Sequence, residues 1–246
     1  MCSFFWYAIV NGGLFACVSG RSNQARRFVI RASGGDQRGE VKMKKMFLAS
    51  SFKDTAGILA SFAGDVKEKT VTFIPTASAV EKVSFFVKSG RKALEKMGFI
   101  VDELEVSTAA ADEIEKKLAQ NDCIYITGGN TFFLLQELRK SGADKMIAKH
   151  VESGKLYIGE SAGSIVAAPN IEFAKAMDSI KKAPELVSMD GLGMIDFYPV
   201  PHYTNAPFIK AVEKIIATYG ETLTLRPISN HQALLIENGN VRIESM

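Results

Sequence analysis

The chain is poor in the residues that build metal sites and disulfide frameworks. It has three cysteines (Cys2, Cys17 and Cys123) and three histidines (His150, His202 and His231) in 246 residues. An odd, low cysteine count argues against a disulfide scaffold and suits a reducing, cytoplasmic compartment. There is no Cys-x-x-Cys and no His-x-x-x-His, so metal ligation has little to draw on. No metal and no cofactor is expected. No run approaches the roughly 18 to 20 apolar residues that span a bilayer, so no membrane partner is expected either. Excess charge is also missing. Of the 30 basic residues, six lie in 1–42 against two acidic ones, leaving 24 basic and 25 acidic residues in 43–246. A nucleic-acid-binding domain should carry a basic face in its folded part, and none is visible.

Residues 1–42 read unlike the rest. An apolar start, Ser3 to Val10, gives way to a Gly-, Ser- and Arg-rich stretch without period. A signal segment is one reading, with Leu14-Phe-Ala-Cys17 as a lipoprotein-like box. The preferred reading is a start assigned too far upstream. Arg38-Gly39-Glu40 can be encoded by a purine-rich, ribosome-binding run two codons before Met43, where a clean α/β pattern begins. A disordered extension is the third reading. One domain is therefore expected over 43–246, a length suited to a single well-buried core.

Across 43–246, short apolar runs alternate with helical periods. Strands are expected at 45–50, 70–75, 99–106, 122–127 and 155–159, and helices at 54–63, 80–97, 111–119, 131–140 and 143–152. A looser stretch after residue 170 ends in a helix over 206–218 and strands near 223–226, 231–236 and 240–243. Asn238-Gly239 supplies a hairpin turn between the last two. Apolar strands separated by helices predict an α/β fold, a mainly parallel sheet covered on both faces.

Chemistry centres on Gly159-Glu160-Ser161-Ala162-Gly163. The pentapeptide is unspecific alone, but Leu156-Tyr-Ile158 runs into it as a buried strand and Ala162 to Ala168 leaves it as a small-residue helix. That is the context of a nucleophile elbow, with Ser161 exposed at the carboxyl edge of the sheet. Gly128-Gly129 ends the preceding strand. The backbone N–H groups of Gly128, Gly129 and Ala162 are the expected oxyanion hole, and Asn130 the cap of the next helix.

A serine nucleophile needs a general base. His150 sits on a helical pattern with Lys145, Lys149 and Glu152 and reads as a solvated surface residue. His231 opens a strand. His202 lies in a rigid loop, Tyr198-Pro-Val-Pro-His202, and is the preferred base. The orienting acid stays open among Glu172, Asp178, Glu185, Asp190 and Asp196.

With these residues in place, the chain resembles the peptidase E family of serine peptidases, the aspartyl dipeptidases. The resemblance covers almost all of 43–246. It is carried by Ile126-Thr-Gly128-Gly129-Asn130, by Tyr157-Ile-Gly-Glu-Ser161-Ala-Gly-Ser164, by Ala176-Met-Asp178 ahead of Ala183-Pro-Glu-Leu186, and by Gly191 to Tyr203 with Pro-Val-Pro-His202 near its end. It implies a three-layer, flavodoxin-like fold of the class I glutamine amidotransferase type, small peptide substrates with N-terminal aspartate, and Ser161, His202 and Asp178 as catalytic residues. Glu185 remains the rival acid, and a homodimer is a possible assembly. Glu160 departs from the family's aromatic residue before the nucleophile, and an acid facing the substrate there would repel an aspartyl side chain. A cyanophycinase-like, amidase or esterase activity with the same residues, and a catalytically silent binding module, are the alternatives.

Overall fold

The computed structural model describes residues 44–246 and, by itself, a two-residue antiparallel pair, β1 (Ile9–Val10) with β2 (Gly13–Leu14). The chain divides into Met1–Gly39 and Glu40–Met246. The readings made of residues 1–42 otherwise lie outside the described residues.

The strands of the second unit are β3 (Lys45–Ala49), β4 (Thr70–Ile74), β5 (Ile100–Glu103), β6 (Cys123–Ile126) and β7 (Leu156–Glu160). A short pair, β8 (Tyr198–Val200) and β9 (Leu225–Pro227), and a closing hairpin, β10 (Gln232–Glu237) and β11 (Asn240–Ser245), follow. The main sheet has the order β11-β10-β3-β7-β6-β4-β5. From β3 to β5 all neighbours are parallel, and the hairpin adds two antiparallel strands on the β3 edge. Asn238 and Gly239, both at positive φ (57° and 78°), make the turn that the Asn-Gly pair predicts.

Side-chain alternation builds two cores from one sheet. Met46 and Leu48 of β3, with Ile124 and Ile126 of β6 and Tyr157 of β7, face one layer. That layer contains α3 (Ala111–Gln120), α4 (Thr131–Ser141), α5 (Ala143–Glu152) and α7 (Ile209–Tyr219). Phe47, Ala49, Phe73, Tyr125 and Ile158 face the other, which holds α1 (Phe52–Ala63) and α2 (Phe85–Met97). All ten of these strand residues are fully buried. A sheet with apolar side chains on both faces needs helices on both, which makes the fold a three-layer α/β sandwich.

Three sequence boundaries are corrected. The strand expected over 99–106 stops at Glu103, because the chain turns inward to bury Leu104 and Val106 with the opposite core. The helix expected from residue 80 begins at Phe85; Glu81 lies ahead of it and pairs with Lys182 across a loop (2.7 Å). The helix after Ser161, α6 (Ala162–Ile165), is a single turn and does not continue to Ala168.

The register fixes where chemistry can occur. Ala49 stands opposite Glu160, and Ile126 opposite Gly159. Strands β3, β6 and β7 therefore end together, and Ser50, Gly128 and Ser161 emerge at one carboxyl edge.

Candidate active site

Ser161 has φ 48° and ψ −105°, a conformation rare for a residue with a side chain. Its neighbours enforce it. The Ser161 N–H still donates to Ala49 O (2.9 Å), as if the strand continued. Its carbonyl already accepts from Ser164 N and Ile165 N in the next turn. The Ser164 hydroxyl is 2.9 Å from both Ala49 O and Gly159 O, and Tyr157 donates to Gly163 O (2.6 Å). Glycine is required on both sides by space. A Cβ on Gly159 would lie 2.6 Å from Gly163 O, and one on Gly163 would lie 2.3 Å from Ile126 O. Backbone strain of order 1–3 kcal/mol persists only where surrounding contacts over-determine it, as they do here.

Ser161 Oγ is 2.9 Å from His202 Nε2. His202 follows β8 in the Pro-Val-Pro-His loop, also at positive φ (65°). Its backbone N–H donates to Ser50 Oγ (3.0 Å), and Ser50 in turn donates to Ile228 O (2.9 Å). The ring stacks on Phe208, with centroids 4.6 Å apart and planes 20° apart. On its far side, Nδ1 is 2.8 Å from Asn230 Oδ1. Burial holds the imidazole's proton affinity below the ordinary value, opposed by the Asn230 hydrogen bond.

The acids are placed elsewhere. Asp178, expected on His202, accepts instead from the backbone N–H (2.9 Å) and hydroxyl (2.6 Å) of Thr131, at the start of α4. Burial raises its pKa, and these two bonds lower it. The loop carrying it is strapped there by Asn130, whose Oδ1 caps α4 through Phe133 N while its amide donates to Ser179 O. Glu185 is an exposed residue paired with Lys140 (3.1 Å). His231 is exposed beside Asn230. His150, read as a surface residue, is 5 % exposed. Its ring packs between α3 and α5 with Nδ1 at 3.1 Å from Leu118 O. The helical pattern was right, but the face was not: positions 147 and 151 beside it are buried aliphatics.

Glu160 does not offer its carboxylate to the cleft. It is 4 % exposed. Oε1 accepts from Phe52 N (2.8 Å), the first residue of α1, and Oε2 accepts from the Tyr125 hydroxyl (2.7 Å). The Gly128 N–H also lies within reach of this carboxylate. Burial raises its pKa against these donors. Of the three amides expected at an oxyanion hole, none has a backbone acceptor among the described residues, and Gly128 lies by the Glu160 carboxylate. Gly129 (φ 135°) also lets the strand end pass Ala77, whose carbonyl oxygen would sit 2.2 Å from an added Cβ.

Sequence reasoning missed Asn230, Ser50 and the Glu160 network. Asn230 escaped because the neighbour of the His202 ring was sought among acids between Ser161 and His202. No local signal marks it: Ser229-Asn230-His231 reads as an ordinary polar loop between β9 and β10.

These residues line a cleft of about 710 Å³. Val83, Phe85, Phe86 and Phe208 give it an apolar side, and Lys53, Asp54 and the Glu81–Lys182 pair a charged rim. Among the described residues, no helix is long and apolar enough to cross a membrane.

Comparison with known proteins agrees with this architecture. An uncharacterized peptidase of Pasteurella multocida, PM1590, is 54% identical over 196 residues, covering 80% of this chain and 95% of that protein. Peptidase E of a Nostoc species is 32% identical over 138 residues, 56% of this chain and 54% of that protein. A crystal structure of a Listeria monocytogenes EGD-e protein, described as a candidate peptidase E, superposes with a TM-score of 0.80 at 50% identity, covering 83% of this chain and 99% of that one. A peptidase from an acI-B1 actinobacterium shares the fold at 22% identity, with a TM-score of 0.64 over 84% of this chain and 89% of that one. Residues 45–244 match the model of peptidase family S51, and the chain belongs to that family of serine-type peptidases.

Proposed function

We propose that this member of family S51 hydrolyses small peptides through an acyl-enzyme on Ser161. The observation that carries the reading is the 2.9 Å contact between Ser161 Oγ and His202 Nε2 at a strained elbow inside the cleft. His202 Nε2 takes the hydroxyl proton as Oγ attacks the scissile carbonyl. Negative charge develops on the carbonyl oxygen, and the free N–H groups of Gly129 and Ala162 are the donors for it. Gly128 keeps the space: a Cβ there would crowd Ser161 Cβ at 3.2 Å. The imidazolium then protonates the leaving amine, and water, deprotonated by the same ring, hydrolyses the ester.

The preferred substrates are peptides with an N-terminal aspartate, following the family resemblance. The repulsion that Glu160 would exert is weakened, because both its oxygens are occupied by protein donors. Lys53, exposed at the cleft, is a cation that an acidic substrate group can meet.

The test has two arms. A fluorophosphonate should phosphonylate Ser161 of the folded protein with loss of fluoride, adding the mass of the phosphonyl group there. A panel of dipeptides with N-terminal Asp, Glu, Asn or a neutral residue should then show turnover, fastest for Asp-X. No adduct would remove the serine mechanism. An adduct without turnover of any dipeptide would move the activity to another ester or amide class.

A further inference from the structure

We propose that Val83 and Phe85 are specificity-determining residues: they hold an apolar side chain on the second residue of the peptide, the one that departs with the amine. The proposal rests on the reading of Ser161 and His202 as nucleophile and base. The core makes no use of these two side chains. Phe85 opens α2 and is 70 % exposed, and Val83, in the loop before it, is 57 % exposed. The core beneath α2 takes Val87, Ala93, Leu94 and Met97 from that helix, and neither of these two. Phe85 instead shares its side of the helix with Lys88, Ser89 and Lys92, a polar face. Val83, Phe85 and Ser89 all line the cleft. Apolar side chains exposed together in a cleft, unlike those scattered singly, mark a binding surface.

A glycine sets how near this turn of α2 comes to the nucleophile. A Cβ on Gly90 would lie 2.5 Å from the Tyr125 hydroxyl, so α2 packs directly on the residue that bonds Glu160. Phe86, whose ring meets that of Phe85 edge-on with centroids 6.0 Å apart, then reaches the Gly128–Gly129 loop. Its Cε2 is 3.8 Å from the Cβ position of Gly128, which is itself 3.2 Å from Ser161 Cβ. The apolar wall thus starts beside the nucleophile at the half-buried Phe86 and extends to the more exposed Phe85 and Val83. The remaining rim carries charge, with Lys53, Asp54 and the Glu81–Lys182 pair. An N-terminal aspartyl side chain would lose hydration against phenyl rings without gaining a partner, whereas Lys53 offers it a cation. A dipeptide has only one other side chain, that of the departing residue. An apolar one placed there removes its own surface and that of the wall from water.

The test is kcat/KM across Asp-Gly, Asp-Ser, Asp-Leu and Asp-Phe. In the wild type the Leu and Phe peptides should exceed the Gly and Ser peptides by roughly 10- to 100-fold, chiefly through KM. Phe85→Ser, and more fully Phe85→Ser with Val83→Ser, should bring the Leu-to-Gly ratio toward unity. Both side chains are exposed, so the variants should fold, which a thermal melt checks. Val187→Ser removes an apolar side chain that is 99 % exposed but lies outside the cleft, and should keep the wild-type ratio. A wild-type series without preference for apolar residues, or a ratio that the double variant leaves intact, would overturn the assignment while leaving Ser161 and His202 standing. So would a ratio lost equally in Val187→Ser. If no Asp-X peptide is turned over, protection of Ser161 from the fluorophosphonate by the same four peptides reads the order of affinity. Protection by Asp-Phe no greater than by Asp-Gly would then overturn the proposal. A wild type that does not label at Ser161 is a different result: the nucleophile reading fails, and the proposal with it.

Discussion

His150 and His202 are two imidazoles withdrawn from water in one domain, and burial lowers the proton affinity of both. His150 lies on α5 among the aliphatic residues facing α3, with Leu118 O on Nδ1. His202 lies on a loop, with a serine hydroxyl on one nitrogen and an amide on the other. Desolvation is common to the two sites, so it cannot be what makes a histidine reactive. The difference is in the partners. His202 has a hydroxyl at Nε2, an amide oxygen at Nδ1 and an opening to a cleft. His150 has a backbone acceptor and a wall of side chains. Perturbed proton affinity marks a candidate site only when geometry supplies something to receive or give the proton.

The comparison breaks first on activity. Ser161→Ala and His202→Ala should each lower turnover by roughly 10³-fold or more, since nucleophile and base act as one unit. The double variant should be hardly worse than either alone. The melting temperature of Ser161→Ala should change little, because Ser161 is only partly buried and its hydroxyl hydrogen-bonds the His202 ring alone among the described residues. Steady-state rates on whichever dipeptide turns over best, beside a thermal melt, check both halves. Turnover of Ser161→Ala within tenfold of the wild type would end the assignment.

That split was legible in the sequence for some residues and not for others, for physical reasons. Gly159-x-Ser161-x-Gly163 announced the elbow because both glycines are forced by backbone approaches that no Cβ survives. The alternating layers were legible because strands β3, β6 and β7 are apolar on both faces. His202 stood out because two prolines stiffen its loop. The Asn230 contact was hidden: Asn230 is far from His202 in sequence, and nothing local marks an amide as a hydrogen-bond partner of a ring 28 positions away. Glu160 looked like an obstacle because the sequence could not say which side of the strand end its carboxylate would take. His150 is ambiguous in sequence because Lys149 and Glu152 neighbour it along the chain, while Ile147 and Val151 share its buried face. Hydrogen bonds between distant loops are the class of contact that periodicity does not encode.

Stability should show the opposite split. Burial pushes the pKa of His150 down to about 4, from an ordinary value near 6.5. A folded-state value below the unfolded one means that the unfolded chain binds the proton first. The stabilisation is therefore complete above pH 6.5 and is lost as the pH falls from 6.5 through 4. Two and a half units correspond to about 3 kcal/mol. In His150→Asn an amide can still donate to Leu118 O, but the titrating ring is gone. The variant should be less stable than the wild type at pH 7, from lost packing, and the gap should narrow toward pH 4. Its turnover at pH 7 should stay near that of the wild type. Urea denaturation at pH 7, 5.5 and 4 measures the slope; a gap constant with pH would mean that His150 does not titrate on unfolding.

The smallest effect expected here concerns Glu160, which bonds neither histidine but joins the start of α1 to Tyr125 of β6 beside the nucleophile. Glu160→Gln keeps the shape and one carbonyl oxygen, so it retains an acceptor for either Phe52 N or the Tyr125 hydroxyl, but not for both. One displaced donor in a buried site costs on the order of 1–3 kcal/mol. Because the Gly128 N–H also lies by this carboxylate, the loop bearing Gly129 should loosen, and turnover should fall by about tenfold or less through kcat. The acid limb set by His202 should not move, since no hydrogen bond joins the two residues. The pH dependence of stability runs against that of His150. Burial raises the folded pKa of Glu160 above its ordinary value near 4.5, so its favourable contribution is present below that value and is lost as pH rises through the folded pKa. The glutamine cannot ionise. The melting temperature of Glu160→Gln relative to wild type should therefore rise with pH across the carboxylate range. A difference that falls with pH would show that the donors around Glu160 outweigh its burial, and that the folded protein holds it as a carboxylate more firmly than water does.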